Sequence, residues 1–172
     1  MESLVARIIR AGKLDIDLYR EVKADPNALG PAMNVVVISS LAAGIGSLQL
    51  GIMGFLVGTV AAFAGWFIWA LVIYIVGAKI LPEPRTNASL SQFLRVVGFA
   101  SAPGIIRLLA GIPYLGGFVI FAASLWILTA MIMATRQALD YEGVWRAAGV
   151  CLLGWLIQGM AIAPFLIMLS AE

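Results

Sequence analysis

Five long apolar stretches dominate the chain, at about residues 31–50, 54–78, 95–111, 116–137 and 146–169. Polar positions gather in the first thirty residues and around 79–94 and 138–146. Between Asp25 and Lys79 the only ionisable side chain is Tyr74. As one helix that segment would run roughly 80 Å at about 1.5 Å per residue. A bilayer core is about 30 Å thick and takes about 20 residues per span, so the segment must cross, turn and cross again. Lipid offers no partner for unpaired backbone groups, and the runs are too long and too continuously apolar for the alternating strands of a barrel. The pattern predicts an all-α, polytopic membrane protein. It divides into an N-terminal segment over 1–30 and a bundle of five transmembrane helices over 31–172.

The third stretch contains GFASAPGIIRLLAGIP, which is broken by Pro103-Gly104 and carries Arg107. Charge distribution judges whether it crosses. With five spans, Arg7, Arg10, Lys13, Arg20, Lys23, Lys79, Arg85, Arg95, Arg136 and Arg146 all fall on the inner side, and only Arg107 is left in the membrane. With four spans, Arg136 and Arg146 move outside. Positive residues favour the cytoplasmic side, so five spans are predicted, with the N-terminus inside and the C-terminus outside. A re-entrant hairpin folded at Pro103-Gly104 is the topological alternative.

The N-terminal segment has helical spacing of its own. Leu4, Val5, Ile8 and Ile9 share one face, while Arg7, Arg10 and Lys13 fall largely elsewhere. Such a stretch can lie on an anionic inner leaflet, or pack on the inner loops. Asp25-Pro26 has the form of a helix start, with Asp as N-cap and Pro in the first turn.

Composition agrees with this picture. The chain is 62% hydrophobic and 12% charged, with a mean hydropathy of +1.02. Soluble domains are about 25% charged. A net charge of +2 gives no reason to expect a nucleic-acid partner. The lone cysteine, Cys151, lies inside an apolar run and has no second cysteine to pair with.

Candidate chemistry is sparse. There is no histidine, and no carboxylate lies inside a predicted span. The usual general base, the commonest metal ligand and the usual buried proton relay are therefore missing. No nucleotide loop is present, because no strand precedes Gly44-Ile45-Gly46 and no lysine follows it at the required spacing. The expectation is a protein without enzymatic activity, cofactor or metal.

Packing groups and a few polar residues remain. Gly54, Gly58 and Gly65 form a small-residue ridge that suits either internal helix packing or a dimer face. Gln158 sits near the middle of the fifth span, where an unpaired amide is costly. It is expected to bond a neighbouring helix or to line a solute path. An arginine at the centre of a span costs about 2.5–3.5 kcal/mol. Arg107 therefore either reaches the outer headgroups or serves as a buried cation in a cleft opened at Pro103-Gly104.

The order of these features resembles the Ypt/Rab-interacting protein (YIP) domain family in its small bacterial form. Tyr19 leads to Asp25-Pro26-Asn27, GFASAPGIIRLL opens the third span, GIPYLGG turns into the fourth, and ATRQALDYEGVWRAAGVCLLGWLIQ joins the fourth and fifth. The resemblance implies five helices, a cytosolic N-terminus and residence in a bacterial inner membrane. Eukaryotic relatives are trafficking adaptors that contact GTPases through a longer N-terminal region. The thirty residues here depart from that pattern and leave GTPase binding unsupported. Two functions follow as expectations. One is a membrane-organising scaffold, working on the lipid bilayer, on its own copies or on a membrane-protein partner. The other is a small transporter, channel or lipid-handling protein with an anion-binding cleft near Arg107.

Overall fold

In the computed structural model, residues 2–112 and 114–170 are described, with side chains through Met160 apart from those of Gln49 and Leu50. Pro113, expected in an outer turn, and the C-terminal Ala171 and Glu172 lie outside the described residues. The described residues form seven α-helices, α1 (Leu4–Gly12), α2 (Ile16–Ala24), α3 (Leu29–Gly44), α4 (Gly51–Ile75), α5 (Leu90–Phe99), α6 (Gly116–Ala138) and α7 (Val144–Ser170). The described residues contain no strand.

Among the described residues, four helical segments are long and apolar enough to cross a membrane: Pro26–Leu48, Gly51–Ile80, Leu90–Gly111 and Gly116–Ala138. Val144–Met160 is a shorter apolar helix within α7. Short non-α turns extend two of the segments, one tighter and one wider than the α-helix. A 3₁₀ helix, Ile45–Leu50, prolongs α3, and a π turn, Val76–Ile80, closes α4. Asp25 caps the 3₁₀ turn Pro26–Ala28 by accepting from the Asn27 amide at 2.9 Å.

The third segment starts earlier than its apolar pattern indicates. Its α-helix begins at Leu90, behind a capping box. The Ser89 hydroxyl accepts from the Gln92 amide, and the Gln92 side chain accepts from the Ser89 amide. At Pro103 the segment neither stops nor folds back. Proline cannot donate to the carbonyl four residues before it, and its ring would crowd that carbonyl. The chain instead tightens into a 3₁₀ helix, Ala102–Gly111, with Pro103 in its first turn. Such helices rarely exceed three or four residues, and this one has ten. At about 1.5 Å per α residue and about 2 Å per 3₁₀ residue, the whole segment spans roughly 35 Å.

The N-terminal residues form an antiparallel hairpin docked along the bundle. Leu18, Tyr19 and Val22 of α2 are fully buried, and α2 packs on α5 and α6. Lys23 ties the base of the hairpin to Asp140 at 2.6 Å and to the Gln137 carbonyl at 3.3 Å. At the tip, Trp126 Nε1 donates to the Gly12 carbonyl at 2.9 Å, about halfway along α6. Of the predicted apolar face, Leu4 and Ile8 pack against the core, while Val5 and Ile9 remain exposed.

Candidate functional site

A 3₁₀ helix has about three residues per turn, so side chains three apart eclipse one another. The segment Ala102–Gly111 therefore aligns Gly104, Arg107 and Ala110 on one stripe, which faces the bundle interior. A Cβ on Gly104 would run into Ser39 Oγ of α3. Arg107 lines three cavities, and Ala110 lines two.

The largest cavity at Arg107 measures about 350 Å³ and lies between α4, α6 and α7. Its wall includes Gly65, Trp66, Trp69, Trp155 and Gln158. Next to it, a pocket of about 100 Å³ carries the hydroxyls of Ser39, Ser40 and Ser101. None of the residues lining either space is acidic.

The donors around the larger cavity are in excess. Arg107 Nε, Trp66 Nε1 and Trp69 Nε1 are buried and bond no protein acceptor. Arg107 reaches one neutral partner, donating through Nη2 to Ser124 Oγ at 3.4 Å. Among the described residues no carboxylate comes within salt-bridge distance of Arg107. A buried donor left without a partner costs about 1–3 kcal/mol, and three such donors belong to residues that line this one cavity.

Each sequence-selected residue can now be placed. Gln158 Nε2 donates to the Gly65 carbonyl at 2.9 Å, tying α7 to α4, and it also lines the Arg107 cavity. Pro103 and Gly104 are buried where α5 passes into the 3₁₀ helix. Gly58 faces inward, since a Cβ there would come 2.7 Å from Ser47 Oγ. Gly65 is occupied by Gln158, and Gly54 is half-buried. The basic residues of α1 form no open patch. Arg7 lies 3.5 Å from Asp25, while Arg10 lies 2.9 Å from Glu2, 2.7 Å from Asp15 and 2.9 Å from Glu21. Glu21 and Asp15 in turn hold the Arg10 guanidinium well above its usual range. Lys13 is exposed at the hairpin tip.

Trp66 and Trp69 escaped the sequence reading because tryptophan counts as apolar there. A signal was available. Tryptophans of membrane helices favour the two interfaces, whereas these lie well inside α4, three residues apart on one face.

Away from the cavity, one end of the bundle collects the charges. Arg146 pairs with Glu83 at 3.4 Å, Arg85 with Glu142 at 3.8 Å, and the buried Arg95 donates to the Asp25 carbonyl. Tyr141 Oη donates to the Gly77 carbonyl at 2.8 Å, with its ring 5.8 Å from the Arg146 guanidinium.

Fold and site together describe an α-helical membrane protein with an uncompensated cation held in a cavity between its spans. The family description that matches is the Yip1 domain, over residues 17–166, and the chain belongs to this family. No curated protein and no solved structure matches it.

Proposed function

We propose that this Yip1-domain protein crosses the membrane five times and binds the anionic headgroup of an amphiphile in the Arg107 cavity, as a non-enzymatic lipid-handling protein. One observation carries this reading: Arg107, Trp66 and Trp69, each with a buried N–H that bonds no protein acceptor, line a single cavity that has no acidic residue in its wall. A group rich in acceptors and negative in charge complements that set, and charge-assisted hydrogen bonds are about twice as strong as neutral ones. The apolar remainder of the wall, with Leu128 and Trp155 toward the bundle surface, suits an acyl chain.

The orientation proposed has the base of the N-terminal hairpin, where Lys23 meets Asp140, on the cytoplasmic side of a bacterial inner membrane and the end of α7 on the outer side. The clustering of Arg85, Arg95, Arg136 and Arg146 at one end of the bundle supports it. A scaffold acting through α1 or the α4 glycine ridge has less support, because Gly58, Gly65, Arg7 and Arg10 all have partners within the chain.

The test is native mass spectrometry of protein extracted from phosphatidylglycerol-containing membranes. Wild type should retain anionic lipid, Arg107→Lys should retain part of it, and Arg107→Gln should lose most. Equal retention by all three would remove the cavity from the protein's function.

A further inference from the structure

Four cavities lie end to end. The Arg107 cavity shares Trp66, Ile127 and Met131 with the serine-bearing pocket, and that pocket shares Ala43 and Arg107 with a neck of about 160 Å³. The neck shares Gly46 and Ala110 with a vestibule of about 480 Å³ at the end of the bundle opposite the charged loops. The fully exposed Tyr114 stands at the mouth of that vestibule.

Two different periodicities make the run continuous. On the α3 side, Ser39 and Ala43 stand four residues apart on the α-helix, Gly46 follows in the 3₁₀ turn that prolongs it, and the three present almost no side chain. Facing them, the 3₁₀ helix aligns Gly104, Arg107 and Ala110 at a spacing of three. An α-helical 102–111 would spread those three residues over about 120° and close the gap. The one long, charged side chain on either stripe is Arg107, and it stands where the neck meets the two inner cavities.

We infer that the Arg107 site is reached from the outer end of the bundle along this small-walled route, and that the route admits oxyanions in preference to cations. The inference rests on the reading of the Arg107 cavity as an oxyanion site, and adds to it a direction of access and a charge filter. The shared ligand chemistry is a phosphate-type oxyanion, carried either by a lipid headgroup or by a free ion.

The native cysteine, Cys151, is buried, so a Cys151→Ala background permits labelling from the outer face of reconstituted vesicles. Ala43, shared by the neck and the serine-bearing pocket, and Ala110, shared by the neck and the vestibule, make Ala43→Cys and Ala110→Cys probes of the neck, with Tyr114→Cys a control at the mouth. The anionic sulfonatoethyl methanethiosulfonate should label the two neck cysteines at least about tenfold faster, relative to its cationic trimethylammonium counterpart, when Arg107 is present than in Arg107→Gln. Tyr114→Cys should label with either reagent. Slowed labelling by inorganic phosphate in phosphatidylcholine vesicles identifies a free ion as the ligand, and slowing by phosphatidylglycerol vesicles alone identifies a lipid headgroup.

Neck cysteines that stay unreactive while Tyr114→Cys reacts would overturn the route. So would labelling indifferent to reagent charge and to Arg107, and slowing by neither phosphate source would overturn the ligand class. If the route fails while Arg107→Gln still sheds its bound lipid, the site stands and is filled sideways past Trp155. If both fail, the site falls with the route.

Discussion

Arg107 Nη2 lies 3.4 Å from Ser124 Oγ, and that hydroxyl already donates to the Ile120 carbonyl at 2.7 Å. Among the described residues, the one side chain bonded to this part-buried guanidinium is thus a neutral group tied to its own helix. The Arg107 guanidinium is positioned by that contact, while its charge is left unmatched.

Stability should therefore rise when the charge is removed. Replacing a buried ion pair by apolar residues of similar volume is often stabilising by about 1–4 kcal/mol, and a lone cation lacks even the pair's mutual attraction. Arg107→Met keeps the length, and Ser124 keeps its bond to Ile120. Thermal unfolding in a fixed detergent should give a higher Tm for Arg107→Met than for wild type, together with lost retention of anionic lipid. A lower Tm would mean that the cation has a compensating partner in the folded protein.

Acid should loosen the N-terminal hairpin. Hydrogen bonds from Arg10 hold the Asp15 and Glu21 carboxyls below their usual range. A carboxyl with a depressed folded-state pKa contributes stability above its unfolded value, and that contribution is lost as pH falls through the folded value. Unfolded carboxyls titrate at about pH 4. Hydrogen exchange in α1 should be flat from neutral pH down to about pH 5 once corrected for intrinsic rates, and then rise progressively below about pH 4. High salt should raise exchange at neutral pH, since the pairs are partly exposed. Arg10→Gln should show that loosening already at neutral pH. Exchange that stays indifferent to acid would mean the hairpin is held by Leu18, Tyr19 and Val22 alone.

Much of this architecture is legible in the order of residues, and the exceptions have physical causes. The long apolar runs give the four spanning segments because a membrane helix needs little more than length and hydropathy. Asp25 before Pro26 gives a true cap, since capping is a local interaction. The start of α5 was hidden in a polar loop, where Ser89 and Gln92 look like linker residues until their reciprocal bonds are seen. Pro103 marks a break but not its consequence, because helical pitch beyond a proline depends on what packs against the next residues, here Ser39 against Gly104. Arg107 stands out in sequence as a cation among apolar neighbours. The donors of Trp66 and Trp69 do not, because an indole N–H matters only once other helices have closed round it.

Two glycines should respond in opposite directions to the same methyl group. A Cβ on Gly98 would sit 2.9 Å from Ala32 Cβ and 3.2 Å from the Ala32 carbonyl, so α5 and α3 would have to part. Gly98→Ala should cost about 1–3 kcal/mol, the range of overpacking. A Cβ on Gly149, an exposed position in the second turn of α7, meets nothing within 4 Å, and alanine there should be favoured by about 0.5–1 kcal/mol. Melting of the two variants in one detergent should therefore bracket wild type. A stable Gly98→Ala protein would show that α3 and α5 are not in close contact.

The last prediction concerns Pro103, because the pitch beyond it is what aims Arg107. Pro103→Ala restores an amide that can bond the Phe99 carbonyl and lets the α-helix continue. An α residue turns about 20° less than a 3₁₀ residue, so over the five residues from Ala102 to Arg107 the guanidinium would swing by about 100°. That turn carries it away from Trp66 and Trp69, although arginine itself is retained. Retention of anionic lipid should fall by about tenfold, the loss of one charge-assisted contact, while the helical circular dichroism signal is preserved. Ile106→Val, on the exposed side of the same segment, should leave retention unchanged. Pro103→Ala protein that keeps its lipid would show that the cavity holds Arg107 in place regardless of pitch, and that the tight helix has some other purpose.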